Sequence, residues 1–383
     1  MTKIKQAVIA LHFFTASISI AFSQVPAFGS DTLLEVGCWN LEWFGSTGYG
    51  PTNEQLQFNN VKQVLNNTDI DIWGLTEMSS NTAYQQLLTE LPQYGGALAT
   101  YSQTQKTALF YKKELFDVIS SNHILTSSNF NYNFAGRPPL EIVLKTKVPA
   151  APDTIYAIVI HLKAYAEQES YDRRKEAATI LKTNYLDLYR KNKKTIVLGD
   201  WNDDLDQSTF NGMETPFKIF LDNPNDYFFP TKALSDAGKT SYAFYSGSFL
   251  DHIMVTSPLK VNYIPESANV LDMMPAYISN FSQNTSDHYP VISSFRLHNM
   301  HALGIQSQNL NPHLFGVAAD GETVFALGEW EGMVEIYSIS GTKVGQFEKQ
   351  TGSLEIPVHH LPHGMYIASL QLKDGLKTYK FVH

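Results

Sequence analysis

The chain is poor in cysteine, in net positive charge and in long hydrophobic stretches. Its 383 residues include a single cysteine, Cys38, so no disulfide can form within the chain. The strand-like surroundings of Cys38 predict a small buried hydrophobic residue. Lys and Arg number 28 against 37 Asp and Glu, a net charge of −9. This balance argues against a passive nucleic-acid binder with a basic surface, but not against an enzyme that holds phosphate through a metal cation.

Long apolar stretches are confined to the N-terminus. Residues 1–23 combine Lys3 and Lys5 with an apolar run over residues 7–22 and small residues at its end, the pattern of a secretory signal peptide. No other segment is long enough to cross a bilayer, so the sequence predicts no stable membrane span. The 43% hydrophobic and 13% aromatic content is typical of a globular chain, here long enough for two or three domains.

Residues 30–297 alternate short apolar runs with amphipathic stretches. Apolar residues recur at three- and four-residue spacing in the helical candidates, which are residues 54–65, 81–91, 170–191 and 215–221. The strand candidates are residues 34–39, 70–75, 107–111, 140–145, 155–162, 195–198, 251–256 and 291–295. This mixture predicts one domain of two packed sheets with helices outside.

The pattern changes after residue 297. Residues 298–315 lose the periodicity and are predicted to form a linker. Residues 316–383 contain short strands separated by Gly-Thr, Thr-Gly, His-Gly and Asp-Gly pairs, with no helical pattern and no acidic cluster. They predict a small C-terminal all-β sandwich.

Polar side chains cluster at the ends of the strand candidates. Separate strands supply Asn40, Glu42, Glu77, His161, Lys163, Asp200, Asn202, Asp251, Asp287 and His288. A sheet gathers a site at one edge in this way, whereas each residue alone would be an ordinary surface or structural residue. Asp203, Asp204 and Asp206 are predicted to belong to a solvated turn, because Asp favours turns and local backbone bonding.

The chemistry of this set indicates a metal-assisted reaction. Oxygen ligands without cysteine favour Mg²⁺ or Mn²⁺, with Ca²⁺ as a structural ion, over zinc. Glu77 and Asp287, with the amide of Asn40, fit such a cation. Two histidines, paired with carboxylates, can act as base and acid near neutral pH. Arg137, in the turn-like AGRPPLE, has a planar guanidinium that can donate two hydrogen bonds to one phosphate. Together, these residues suit a reaction in which water attacks phosphorus.

Seven short motifs occur together in a fixed order: WNLEWFG, DIWGLTE, GRPP, IHLKA, GDWND, LDHI and SDHYPV. Across residues 34–297 they resemble the endonuclease/exonuclease/phosphatase family, whose fold is that of deoxyribonuclease I. GDWND followed by SDHYPV at the expected distance is the strongest joint signal. The resemblance implies a four-layer α/β sandwich, in which two packed mixed β-sheets are flanked by helices.

The same resemblance implies a metal site and a water-activating residue. By similarity, Asn40 and Glu77 are the first metal-site residues, and Asp287 is the acid that completes the site. Asp200 is similar to the residue that orients or deprotonates the attacking water. Asn202 corresponds to the residue that holds a phosphate oxygen as charge builds.

The resemblance also implies roles for the histidines and the basic residues. His288 resembles the catalytic histidine, with Asp251 as its carboxylate partner. His161 resembles the second histidine, on the phosphate or leaving-group side, with Lys163 beside it. Arg137 resembles the phosphate clamp.

Two positions depart from the family pattern. Gln105 stands where the family has the Glu that pairs with the second histidine, which leaves an electrostatic role for His161. Glu42 stands two residues after Asn40, where relatives often have Asn or Asp. It is expected either to shift a second metal position or to support the residues of the first.

Residues 316–383 carry a second resemblance. The strand-turn IYSISG, the segment LPHGMY and the basic final strand resemble the C-terminal sorting domain of type IX secretion substrates. This implies handling by the type IX secretion machinery. Together with residues 1–23, it implies a protein that is secreted or attached to the outer cell surface. An accessory carbohydrate- or protein-binding sandwich is the alternative.

The leading hypothesis is a secreted, Mg²⁺- or Mn²⁺-dependent phosphodiesterase that hydrolyses DNA, with RNA as a further substrate. The metal, Arg137, Lys163 and the basic run 173–175 would supply local positive charge, although such a run on a helix is usually a solvated face. A phosphomonoesterase, or a diesterase acting on phospholipids or nucleotides, is the alternative. A lipid-cleaving enzyme needs an exposed apolar loop, for which residues 222–231 are the candidate. A non-catalytic surface-binding protein would be expected to have lost some of these site residues, and none is lost.

Overall fold

The computed structural model describes residues 24–297, except 31–32, 148–151 and 246, and residues 315–383, except 318–322, 327–329, 339–341, 363 and 373–374. The predicted signal peptide, and all of the predicted linker but Phe315, lie outside the described residues. The chain divides into two compact units, residues 1–300 and residues 301–383.

Two six-stranded mixed sheets form the middle of the first unit. In spatial order the first sheet consists of β11 (Asn269–Val270), β12 (Val291–Phe295), β1 (Leu34–Phe44), β2 (Ile72–Met78), β4 (Lys106–Lys112) and β3 (Tyr94–Leu98). The second consists of β5 (Phe116–His123), β6 (Leu140–Thr146), β7 (Thr154–His161), β8 (Lys194–Asp200), β10 (Asp251–Thr256) and β9 (Tyr227–Phe228). In each sheet two neighbouring central strands run parallel, β1 with β2 and β7 with β8.

Helices cover the outer faces of both sheets. The α-helices of the described chain are α1 (Glu54–Thr68), α2 (Asn81–Glu90), α3 (Ser128–Asn131), α4 (Gln168–Leu181), α5 (Lys218–Leu221), α6 (Lys232–Asp236), α7 (Ser257–Lys260) and α8 (Phe281–Asn284). A π-helix, Lys182–Arg190, continues α4, and a 3₁₀ helix spans Met274–Ala276. Helices α1 and α2 pack on the first sheet, and α4 and α5 pack on the second. The predicted four-layer α/β sandwich is confirmed.

The central strands are apolar on both faces because each sheet is covered on both sides. In β8, Ile196 and Leu198 lie in the core between the sheets, whereas Val197 packs in the outer core with residues of α4. In β7, Val159 is inside and Ile158 outside in the same way. Strands buried on both faces therefore appear as continuous apolar runs without alternation.

The predicted elements differ from the structure in two helices and at the sheet edges. The helix predicted over residues 170–191 is α4 followed by the π-helix, and the helix predicted over residues 215–221 is confined to α5. The sequence pattern does not predict the edge strands β3 and β5. An edge strand pairs on one side only and needs little apolar surface, and β3 begins with Tyr-Gly-Gly while most of β5 is exposed.

Two predictions from composition can be compared with this unit. Cys38 is fully buried in β1, as predicted. Across the described part of the chain, no helix combines the length and the apolar character needed to cross a bilayer.

The second unit is all-β in the residues that the structure describes. One antiparallel sheet contains β13 (Phe315–Val317), β14 (Thr323–Ala326) and β17 (Leu354–Pro357), and the other contains β16 (Lys343–Lys349), β15 (Gly332–Ser338), β18 (Met365–Leu372) and β19 (Gly375–Val382). Val324 and Ile356 of the first sheet share one core with Ile336 and Leu370 of the second. The predicted small all-β sandwich is confirmed.

Candidate active site

Strand register brings polar residues together at one end of the first unit. The parallel strands β7 and β8 pair His161 with Asp200, and the antiparallel β10 pairs Asp251 with Asp200. Asp200, the last residue of β8, therefore lies between His161 and Asp251. In the first sheet, the parallel strands β1 and β2 carry Asn40 and Glu77 at adjacent register positions.

Asn40 joins side chains from the two sheets. Its Nδ2 donates to Oε1 of Glu77 at 3.1 Å and to Oδ2 of Asp200 at 2.9 Å. Its Oδ1 accepts the backbone N–H of Glu42 at 2.9 Å. The second oxygen of Glu77 accepts the backbone N–H of Trp43 at 3.0 Å. Asn40 thus holds two carboxylates, one from each sheet, in a fixed relative orientation.

Left-handed backbone surrounds these side chains. Glu42, Glu77 and Asn202 have φ angles of 46°, 59° and 57°, and Gly199 has a φ of 133°. Position 199 requires glycine, because a Cβ there would lie 2.2 Å from the carbonyl oxygen of Ile160 in β7. Non-glycine residues in this region cost about 1–3 kcal/mol each and cluster at functional sites. The close approach of β7 and β8 at Gly199 therefore fixes the position of the next residue, Asp200, whose carboxylate ends β8.

His288 and Asp251 form the second fixed group of the site. Nδ1 of His288 donates to Oδ2 of Asp251 at 2.7 Å, and the same oxygen accepts the hydroxyl of Ser241 at 2.8 Å. Burial by itself lowers the pKa of His288, but the carboxylates of Asp251 and Asp287 outweigh it and hold the pKa well above its ordinary value. These carboxylates therefore favour the protonated imidazole, whose Nε2 lies 4.0 Å from Oδ1 of Asp287.

Several carboxyl groups crowd around this cation. Burial raises the pKa of Asp200 to about 7, although His288 opposes the shift. Burial and the nearby Asp287 raise the pKa of Glu42 to about 8. Burial also raises the pKa of Asp287, whose backbone N–H donates to Oε2 of Glu42 at 2.9 Å. A divalent cation would stabilise such carboxylates as anions, so this oxygen-rich set fits Mg²⁺, Mn²⁺ or Ca²⁺.

Asp200, Asp251 and His288 form a group that could hold a metal ion, because one potential ligand atom of each residue lies within 4.8 Å of the other two. Oδ2 of Asp251 is already bound to His288 and to the hydroxyl of Ser241. We therefore interpret the group as a hydrogen-bonded Asp–His pair beside Asp200, and not as a second cation site.

His161 has a different environment. Its Nε2 lies 3.6 Å from Oδ2 of Asp200 and 3.8 Å from Oε1 of Glu77, too far for hydrogen bonds. No described residue forms a hydrogen bond with its Nδ1. Burial, and then the guanidinium of Arg137, lower the pKa of His161 well below its ordinary value, so the imidazole is neutral. Gln105, at the expected partner position, instead accepts a hydrogen bond from Arg137 at 3.3 Å.

Arg137 and Lys163, predicted to bind phosphate, are not among the described residues that line the cleft. Arg137 is buried, and its guanidinium donates to the carbonyls of His161 at 3.0 Å and Leu162 at 2.7 Å. Nζ of Lys163 lies 4.4 Å from the centre of the Tyr165 ring. Two of its N–H groups are used on backbone carbonyls and a third on Gln105, so Arg137 fixes the end of β7. The role of phosphate clamp expected from the GRPP motif stays a prediction.

The acidic run after β8 is buried, so the prediction of a solvated turn is wrong for two of its three residues. Asp203 and Asp204 are 0% and 3% exposed, and Asp206 alone is exposed. Oδ2 of Asp203 lies 2.8 Å from Nη2 of Arg174 in α4, which is itself fully buried. The basic run 173–175 is therefore not simply a solvated face, because its middle residue neutralises a buried aspartate.

Residues 222–231 do not form an exposed apolar loop. Tyr227 and Phe229 are 2% and 4% exposed, and Phe228 is half-buried. Phe229 packs edge-on against Trp201, with ring centres 5.3 Å apart. Tyr227 and Phe229 belong to the outer core of the second sheet, and Phe228 packs against the core between the sheets. The segment is therefore not the exposed apolar loop that a lipid-cleaving enzyme would need.

The site opens into a cleft of about 880 Å³. Among its lining residues are Asn40, Glu77, His161, Asp200, Asn202, Asp287 and His288, together with Tyr165, Tyr242 and Tyr245. Tyr165 and Tyr245 are 73% and 66% exposed. Sequence reasoning missed these tyrosines and Ser241, because they lie in loops whose course no periodicity predicts. For Tyr165 alone there is a local signal, its place directly after the IHLKA motif.

The family model of the endonuclease/exonuclease/phosphatase family matches residues 37–288. The chain belongs to this family. A second model, for a secretion system C-terminal sorting domain, matches residues 323–383. A search of curated proteins finds no match.

Several solved structures are similar to this chain. The chain is similar to a humanized TDP2 of D. rerio, with 15% identity, a TM-score of 0.51, and 70% of this chain and 100% of that chain covered. It is also similar to the human nocturnin catalytic domain, with 19% identity, a TM-score of 0.49, and 69% and 94% covered. A mannosyl-6-phosphatase of Bacteroides thetaiotaomicron has 18% identity, a TM-score of 0.47, and 68% and 98% covered. At 15% identity, the likeness to TDP2 concerns the fold.

Family membership makes the chain a phosphoric ester hydrolase of a family that typically uses a divalent metal. The sorting domain marks it for the type IX secretion system, and hence for release or attachment at the cell surface. Both resemblances drawn from the sequence are confirmed.

Proposed function

We propose that this endonuclease/exonuclease/phosphatase family member is a secreted phosphodiesterase that hydrolyses DNA, with RNA as a further substrate. The observation that carries the proposal is the meeting of two fixed groups in one cleft. One is the array of Asn40, Glu77 and Asp200, and the other is the Asp251–His288 pair. The first group provides oxygen ligands for a metal ion and a carboxylate that can accept a proton from the attacking water. The second group provides a positively charged imidazole that can stabilise the charge on the phosphate.

The proposed cation is Mg²⁺ or Mn²⁺. Glu77 and Asp287 would hold it through carboxylate oxygens and Asn40 through its amide, since all three line the cleft. When bound, such an ion neutralises phosphate charge and polarises the ester toward attack by water. Ca²⁺ is proposed only as a structural ion.

Asp200 is proposed to orient the attacking water and to accept its proton. Its Oδ1 accepts the backbone N–H of Asn202 at 2.9 Å, and its Oδ2 is held by Asn40. The side-chain amide of Asn202 donates to the carbonyl of Leu162 at 3.1 Å, which orients it within the cleft. We propose that the second N–H of the Asn202 amide donates to a phosphate oxygen. This donor is already oriented when negative charge builds on that oxygen in the transition state.

The histidines are proposed to act on the phosphate and the leaving group. As the water oxygen bonds to phosphorus and the ester P–O bond breaks, the His288 imidazolium stabilises the developing charge and protonates the leaving oxygen. Asp251 keeps His288 charged and fixes its ring. The neutral His161 contributes as a dipole on the phosphate or leaving-group side.

The test is nicking of supercoiled plasmid by the full chain with Mg²⁺, with Mn²⁺ and with EDTA. His288→Ala should abolish nicking, whereas His359→Ala, at an exposed position of the second unit, should leave it unchanged. Folding of both variants is checked by circular dichroism. A folded wild type that nicks no plasmid but hydrolyses a phosphomonoester would overturn the proposal in favour of a phosphatase.

A further inference from the structure

Tyr165 is an exposed aromatic residue on a strained backbone. Its side chain is 73% exposed and its φ is 81°, a conformation that residues with a bulky side chain rarely adopt. It lies in the segment after β7 and lines the cleft beside His161 and Asn202. Core packing does not explain an exposed ring in this conformation, and strained residues cluster where ligands bind.

Two buried arginines hold this segment in place. Arg137 donates to the last carbonyl of β7 and to the next one along the chain. Arg174 donates through Nη1 to the carbonyls of Lys163 at 2.7 Å and Tyr165 at 2.8 Å. Nε of Arg174 also donates to Oδ2 of the buried Asp203 at 2.9 Å. The ring of Tyr165 is therefore presented to the cleft by a segment anchored to the core, and not by a free loop.

The ammonium group of Lys163 lies beside the ring of Tyr165. Nζ of Lys163 lies 4.4 Å from the centre of the Tyr165 ring, close enough for a cation–π contact. An aromatic face beside a positive charge is the combination with which proteins bind single-stranded nucleic acid, the base stacking on the ring while the cation attracts the backbone. Lys163, which does not line the cleft itself, thereby has a place in this arrangement.

We propose that Tyr165 is a specificity-determining residue that stacks on an unpaired nucleobase beside the scissile phosphate. The proposal rests on the proposed nuclease function and names its substrate class: single-stranded or locally unpaired nucleic acid. A base inside a duplex has both faces covered by its neighbours, so it must leave the stack to reach a tyrosine ring. The rigid anchoring of Tyr165 lowers the entropy lost when the base binds.

The test compares two labelled oligonucleotides of the same length with the full chain. One is an oligothymidylate, and in the other the nucleotides that flank the cleaved bond are replaced by abasic tetrahydrofuran residues. The protein variants are Tyr165→Ala, Tyr165→Phe, which keeps the ring, and Tyr189→Ala, which removes another exposed tyrosine outside the cleft. The measured quantity is kcat/KM for each protein on each oligonucleotide.

On the oligothymidylate, Tyr165→Ala should lower kcat/KM by roughly 5- to 150-fold, the range that corresponds to loss of one base–aromatic stack. Tyr165→Phe and Tyr189→Ala should stay close to the wild type. On the abasic oligonucleotide, the wild type should already be slow and Tyr165→Ala should change little. An equal loss on both oligonucleotides would overturn the stacking role while leaving the nuclease function standing. A wild type that nicks plasmid but cleaves neither oligonucleotide would overturn the stacking role alone. A wild type that also nicks no plasmid would overturn the nuclease function, and the stacking role with it.

Discussion

The buried ion pair between Arg174 and Asp203 allows the sharpest stability prediction. Arg174→Met removes the guanidinium while keeping a long apolar side chain in α4. The carboxylate of Asp203 then stays buried without its cation, and the carbonyls of Lys163 and Tyr165 each lose a donor. The first unit should therefore be destabilised.

The size of the loss follows from these contacts. Removing one partner of a buried pair costs about 3–5 kcal/mol, and each lost hydrogen bond adds about 1 kcal/mol. Asp203 keeps hydrogen bonds from the hydroxyl of Ser208 at 2.9 Å and the backbone N–H of Thr209 at 2.7 Å, which moderate the loss. We expect a net loss of about 4 kcal/mol. For a unit of this size, that corresponds to a drop in Tm of about 8–16 °C.

The assay is thermal unfolding of the full chain, followed by the fluorescence of buried tryptophans such as Trp201. Lys175→Met is the matched control, because Lys175 is an exposed basic residue on the same helix. Adding Asp203→Asn to Arg174→Met should recover part of the loss, because it removes the uncompensated charge. The reasoning would be refuted if Arg174→Met melted within about 2 °C of the Lys175→Met control, the range of a surface substitution.

Three further predictions concern the site and its scaffold. Asp251→Asn should lower kcat for plasmid nicking by about 100-fold or more, because His288 loses the carboxylate that keeps it charged; an unchanged kcat would contradict this. Gly199→Ala should lower the free energy of unfolding by at least about 2 kcal/mol, because its Cβ meets a backbone carbonyl of β7. Gly247→Ala, with positive φ but open space around it, is the control, and equal losses in urea unfolding would contradict the clash. Burial and a neighbouring carboxylate raise the pKa of Glu35 from 4.5 to about 9. The folded chain therefore binds this proton more tightly than the unfolded chain, and stability falls as pH rises from about 4.5 to about 9. Glu35→Gln should raise Tm at pH 8.5 and leave it nearly unchanged at pH 4.5; a Tm difference independent of pH would sink the argument.

The residues that sequence reasoning placed best are those that end buried strands. His161, Asp200 and Asp251 each stand at the end of an apolar run, so their positions follow from the strand pattern and from the pairing of β7, β8 and β10. The His288–Asp251 contact was expected from the family resemblance and is present at 2.7 Å. Their catalytic roles remain proposals.

The errors concern residues whose environment depends on distant segments. Asp203 follows a strand in an acidic run and has the local pattern of a turn, yet it is buried because Arg174, 29 residues earlier, packs against it. The phosphate clamp expected for Arg137 stays a prediction, and the contacts that Arg137 makes with the carbonyls at the end of β7 were not foreseen from the sequence. A charged side chain looks the same in sequence whether its partner is water, phosphate or a buried group of its own chain.

The sequence by itself determined the layered α/β class, the all-β C-terminal unit, the sorting domain for type IX secretion and the residue types of a phosphoric ester hydrolase. These follow from periodicity and from short motifs, which are local properties of the chain. Only the tertiary structure decided that Asn40 joins carboxylates from both sheets, that Asp203 is buried against Arg174, and that Tyr165 lines the cleft. The physical reason is that each of these depends on burial and on contacts between segments far apart in the chain, which no local pattern encodes.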